Sequence, residues 1–98
     1  MRSYVLAKTA ERDLDQIKRF LVAQAGPTVT RNVFRDIRSA FKLLGSKPGV
    51  GHLRDDLTSR PVKFWHVYSY LIVYDPETKP VQIMRVLHGM RDVGKILK

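Results

Sequence analysis

Apolar residues recur at helical spacing in the first half of the chain and at strand spacing in the second. Ala10, Leu14, Ile17 and Leu21 form one stripe that predicts a helix from about Thr9 to Gln24. Thr9 suits its N-cap, and Glu11 and Asp13 fall in the first turn, where the helix dipole favours carboxylates. Gly26-Pro27 closes this helix and opens the next, because glycine suits a C-terminal cap and proline cannot sit in a helix interior. Val33, Ile37, Phe41 and Leu44 then predict a second helix over 28–44, with Arg31, Arg35, Arg38 and Lys42 on its opposite face. A turn this short predicts an antiparallel helical hairpin.

Four segments read as strands. Residues 3–7 form a short first one, while 62–67, 69–75 and 81–88 are rich in β-branched and aromatic residues. A turn over 75–80, D-P-E-T-K-P, joins the last two. Residues 45–61 form a long connection, a length often associated with function. Its Gly49 and Gly51 lack the following helix and Lys-Ser/Thr of a phosphate cradle, and so read as turn residues. Leu53 and Leu57 are expected to pin it to the core. The order strand, helix, helix, three strands predicts an α+β domain with a helical hairpin on one face of a mostly antiparallel sheet. Segments 69–75 and 81–88 are apolar on both faces, which predicts that the second face also needs cover, for instance from a partner protein.

The 98 residues hold one small core, so a single domain over 1–98 is expected. With no cysteine, a disulfide scaffold is excluded and a reducing compartment fits. His52, His66 and His88 are isolated, so no metal is expected, and no motif calls for a cofactor. The N-terminal apolar run is too short for a signal peptide, and no run approaches the roughly 18 apolar residues of a membrane span. These features predict a cytoplasmic protein that does not engage membranes. The net charge is +9, with nine basic and four acidic residues in 1–46 and nine and five in 47–98. Charge spread in this way favours anionic partners, either nucleic acid or an acidic protein segment.

The stretch V-Q-I-M-R-V-L-H-G-M-R-D, residues 81–92, carries the sharpest chemical signal. Arg85 lies inside an apolar strand and needs either an anionic ligand or a carboxylate partner, for which Asp56, Asp75 and Asp92 are candidates. His88 ends the strand. Arg91 and Asp92 then precede V-G-K-I-L-K, which reads as a short C-terminal helix. Trp65 reads as sheet packing, or as a stacking platform beside Lys63.

Four motifs in one order carry a family resemblance: A-x-x-D-L-x-x-I (10–17), P-G-x-G-x-L-R-x-D-L (48–57), F-W-x-V-x-x-Y-L-I-V-Y (64–74) and R-V-L-H-G-x-R-D (85–92). Together they resemble the RelE/ParE superfamily of toxins from type II toxin–antitoxin systems, and the last looks most like the ParE branch. The resemblance implies a cognate antitoxin that wraps the toxin, with operator DNA reached only through that antitoxin. It implies DNA gyrase as the target and no enzymatic activity. The alternative is a RelE-like, metal-independent endoribonuclease acting on messenger RNA in the ribosome. A further alternative is a non-toxic co-repressor module. For a nuclease the candidates are Arg85, His88, Lys63 and Arg60, with cations around the phosphate and a histidine as acid or base. Against it, no tyrosine or second histidine follows His88, and Tyr68, Tyr70 and Tyr74 read as sheet packing. For antitoxin binding the candidates are Arg31, Arg35, Arg38, Trp65, Arg85 and Arg91.

Overall fold

The computed structural model describes residues 3–54, 56 and 58–89. Strand β1 (Tyr4–Leu6) leads into α1 (Lys8–Ser46), a 3-10 turn (Pro48–Val50), and strands β2 (Lys63–Val67), β3 (Tyr70–Asp75) and β4 (Val81–His88). The sheet order is β1-β4-β3-β2. β4 pairs antiparallel with β3, and β3 with β2, while β1 lies parallel to β4, so the sheet is mixed.

The helical hydrogen-bonding runs from Lys8 to Ser46 with one break, at Gly26, whose φ of 86° and ψ of 172° leave the helical region. A left-handed φ of this kind favours glycine. Pro27 opens the second arm, and the buried Thr30 hydroxyl donates to the Gly26 carbonyl at 2.8 Å. A straight helix of 39 residues would reach about 58 Å, and the longest dimension of the molecule is 36 Å. The arms 8–25 and 27–46 therefore cannot be collinear, and the chain bends between them at Gly26, where the sequence places the turn. Both arms feed one core: Ala10 and Ile17 from the first, and Ile37, Ala40, Phe41 and Leu44 from the second, against Ile72, Tyr74, Val81 and Ile83 of the sheet.

The far face of the sheet is covered, as its apolar residues predict, although no partner is needed to bury the residues described there. Val62, Phe64, Leu71, Val73 and Leu87 form a second cluster there, each at most 7% exposed. These five side chains are buried within the chain itself. Leu53 departs from expectation: it is 62% exposed and pins nothing. Leu57 lies outside the described residues, as does the C-terminal segment expected to form a short helix. The first part of the connection, residues 45–52, is more ordered than expected. Beyond its 3-10 turn, His52 exchanges two backbone hydrogen bonds with Phe64, at 2.9 and 2.8 Å, along the outer edge of β2.

Gly51 holds this connection against the core. Its N–H donates to the Tyr74 hydroxyl at 2.9 Å, and that hydroxyl donates to the Pro48 carbonyl at 2.6 Å. A Cβ at position 51 would fall 2.3 Å from the Tyr74 oxygen, which explains the glycine by close approach.

Candidate functional site

β1 is three residues long and β4 eight, so the outer edge of β4 runs on past its partner. The start of α1 takes over. The Ala7 N–H donates to the Ile83 carbonyl at 2.9 Å, the Thr9 hydroxyl to the Met84 carbonyl at 2.8 Å, and the Val86 N–H to Asp13 Oδ2 at 3.0 Å. Thr9 and Asp13 lie one helical turn apart on the same side of the helix. Thr9 is therefore not the N-cap: that position is Ala7, with no side-chain cap. Its hydroxyl closes a sheet edge instead.

Asp13 is also the partner of Arg85. The guanidinium donates from Nε to Oδ2 at 2.8 Å and from Nη2 to Oδ1 at 2.9 Å. This is the two-pronged geometry that makes arginine–carboxylate pairs strong. Both side chains are largely shielded, at 27% exposed for Arg85 and 12% for Asp13. The hydrogen bonds to Asp13 raise the Arg85 pKa above its ordinary value against the opposing effect of burial. The partners expected from sequence do not serve. Asp56 pairs with Arg54 at 2.7 Å, Asp75 accepts the Glu77 N–H at 2.9 Å, and Asp92 lies outside the described residues. A bulge in β4 shapes the site: Tyr74 stands opposite Ile83 but Val73 opposite Arg85, leaving Met84 as the extra residue.

His88 and Arg85 line the same concavity, of about 340 Å³, with Asp13, Gln16, Phe20 and Tyr70. The His88 ring lies 5.0 Å from the Tyr70 ring and 5.8 Å from that of Phe20, which is half exposed. The other two nuclease candidates are not brought here. Lys63 sits on β2, two strands away, and its Nζ donates to the Gly49 carbonyl at 3.2 Å. Arg60 lies in the connection before β2 and is exposed. Among the described residues the concavity thus pairs one cation with one carboxylate. Asp13 repels a phosphate that Arg85 alone would attract.

The remaining candidates lie elsewhere. Arg31, Arg35 and Arg38 are exposed on the second arm of α1, and Arg91 is outside the described residues. Trp65 is half buried against the main core, and the His52 ring stacks on it at 6.3 Å with 10° between planes. Tyr70 and Tyr74 pack in the sheet as expected, and burial pushes the pKa of both phenols up. Tyr68 does not pack: at the β2–β3 turn it is 64% exposed, with φ at 57°, and its hydroxyl donates to Asp36 on the second arm.

A second concavity, of about 860 Å³, runs along β1 and is lined by Ser3, Tyr4, Val5, Leu6, Glu11, Lys42 and Ser46. Residues alternate along a strand, and Ala7 directs its N–H toward β4. Tyr4 and Leu6 accordingly turn their N–H and C=O groups outward. Among the described residues no strand pairs with this side of β1, whereas His52 covers the outer edge of β2.

The fold and these sites define a small α+β domain, a broken helix packed on a mixed four-stranded sheet. The family model for the ParE toxin of the type II toxin–antitoxin system parDE matches residues 4–93, and the chain belongs to that family. It is also similar in structure to a chain of the chromosomal ParDE toxin–antitoxin system from P. aeruginosa, with a TM-score of 0.75 and 23% identity over 91% of this chain and 97% of that one. No curated protein matches the sequence. Among the described residues no helix is long and apolar enough to cross a membrane.

Proposed function

We propose that this ParE-family chain inhibits DNA gyrase by binding it, without catalysing a reaction, and that a cognate antitoxin neutralises it by direct contact. One observation carries the non-enzymatic reading. The cation best placed to grip a phosphate, Arg85, is tied at two points to Asp13. Its companions Lys63 and Arg60 are not among the residues that line the concavity with His88. Metal-independent RNA cleavage relies on several cations converging on one phosphate, and among the described residues this concavity does not supply them.

The open edge of β1 supports the antitoxin reading. An extended segment laid along it meets the outward N–H and C=O groups of Tyr4 and Leu6, with Lys42 at hand for an acidic side chain.

The test is a gyrase supercoiling and cleavage-complex assay with the purified chain. Inhibition that disappears on adding the product of the adjacent antitoxin gene is the expected result. Unaffected gyrase together with rapid loss of messenger RNA on induction would overturn the reading. Lys42→Glu is expected to weaken antitoxin binding, most of all at low salt, and to leave gyrase inhibition intact.

A further inference from the structure

We propose that the polar face of the second arm of α1 binds the phosphodiester backbone of double-stranded DNA. Sequence reasoning assigned Arg31, Arg35 and Arg38 to an antitoxin and DNA contact to the antitoxin alone. The structure of this face points the other way.

Arg31, Arg35, Arg38 and Lys42 recur at intervals of four, three and four residues, and all are exposed. At 100° per residue they share one side of the helix and extend over about 16 Å of its length. Arg31, Arg38 and Lys42 have no ion pair among the described residues, and Arg35 has one, to Asp36 at 3.5 Å. Asp36 is the single acidic residue of the arm, and it also accepts the Tyr68 hydroxyl at the margin of this face. The positive potential of the row is therefore little offset.

The residues along one side of the row decide what kind of partner fits. They are Thr28, Asn32, Ser39 and Ser46, all exposed, so the row and that side together make a strip roughly 120° wide without an apolar side chain. A protein partner draws its binding energy from a desolvated apolar core, and this strip offers none. Arginine, lysine, serine, threonine and asparagine are the side chains that contact phosphate and sugar. The strip also lacks the aromatic platforms that hold single strands. Its length fits one stretch of backbone and falls short of the roughly 16 base pairs over which double-stranded RNA is read. Duplex DNA is the polyanion that remains.

The experiment is fluorescence anisotropy with the purified full chain and a 30-base-pair DNA duplex of arbitrary sequence, between about 50 and 200 mM salt. No gyrase is present, so its outcome is independent of the gyrase reading. Four phosphate contacts predict a slope of log affinity against log salt of about −3.6. Arg31→Gln/Arg35→Gln/Arg38→Gln is expected to reduce that slope by about 2–3 and to weaken binding at least tenfold. Arg12→Gln/Lys18→Gln/Arg19→Gln removes the same charge from the first arm and is expected to change the slope by less than about half as much. Circular dichroism confirms that both variants fold. Equal effects of the two triple variants would overturn the proposal, as would the absence of salt-dependent binding. Tighter binding of an RNA duplex or single strand would overturn it too, as would displacement of the duplex by stoichiometric poly-glutamate.

Discussion

Asp13 and Arg85, 72 residues apart, join the first arm of α1 to the last strand through two charge-assisted hydrogen bonds, and the same carboxylate accepts the Val86 N–H. This arrangement orders the effects of two substitutions. Arg85→Met removes the charge and leaves Asp13 with one backbone donor. Asp13→Ala strands a largely shielded guanidinium and a backbone N–H together. Breaking such a pair from one side costs about 2–4 kcal/mol. Asp13→Ala is expected to be the worse by about 1 kcal/mol, which shifts Tm by roughly 4–8 °C in a domain of this size. Urea unfolding of the two variants checks the order, and equal or reversed losses would show that the Val86 contact is dispensable.

His88 tests the non-enzymatic reading from within the concavity. Its ring lies beside Tyr70 and Phe20, and it is exposed. Truncation to alanine is expected to cost about 0.5–1.5 kcal/mol of aromatic contact and to leave growth arrest on induction unchanged. A folded His88→Ala protein that no longer arrests growth would place chemistry at this residue.

The fold was largely legible because its signals are local. Helical periodicity gave both arms, β-branched runs gave the strands within one residue at most ends, and Gly26-Pro27 marked the break. The site was not legible in the same way. The residues flanking Arg85 show that it needs an anion, but not which one. Asp13 read as a first-turn carboxylate favoured by the helix dipole, and it serves instead as a tertiary partner. Thr9 misled for the same reason, since a hydroxyl at a helix start suits a cap and suits a neighbouring carbonyl equally well. The clue was in the spacing: Thr9 and Asp13 lie four apart, facing one side, next to the shortest strand. Burial of the far face was legible from the apolar residues on both faces of 69–75 and 81–88, but its source was not, because such residues do not say what covers them.

The Tyr74 hydroxyl is a buried junction between the sheet and the connection after α1. Tyr74→Phe leaves the Gly51 N–H and the Pro48 carbonyl without that partner and is expected to cost about 1–3 kcal/mol. Gly51→Ala is expected to cost a similar amount by overpacking. Removing the hydroxyl should not rescue Gly51→Ala, because the new Cβ also falls 2.8 and 2.9 Å from two ring carbons of Tyr74. Chemical denaturation of the two single variants and the double variant decides the matter. Full rescue in the double variant would show that the ring can withdraw and that contact with the hydroxyl alone requires glycine.

Tyr68 and Asp36 tie the tip of the β2–β3 turn to the second arm, and their titration sets a pH window for that tie. The hydrogen bond from Tyr68 lowers the Asp36 pKa below its ordinary 3.8, and Asp36 raises that of Tyr68 above its ordinary 10.0. A depressed carboxylate stabilises the fold above its unfolded pKa, and that contribution fades as pH falls through the folded value. A raised phenol does the reverse: its contribution is complete below the unfolded pKa and fades as pH rises through the folded value. The tie is therefore fully present between pH 3.8 and 10.0. Tyr68→Phe keeps the ring and the backbone and removes only the hydroxyl. Its Tm is expected to fall below that of the wild type across this window, and the two curves should converge in stronger acid and in stronger base. Both groups are solvent-exposed, so the gap should be small and should narrow with salt. A gap that persists unchanged at pH 2 would show that Tyr68 stabilises the turn by some means other than the Asp36 carboxylate.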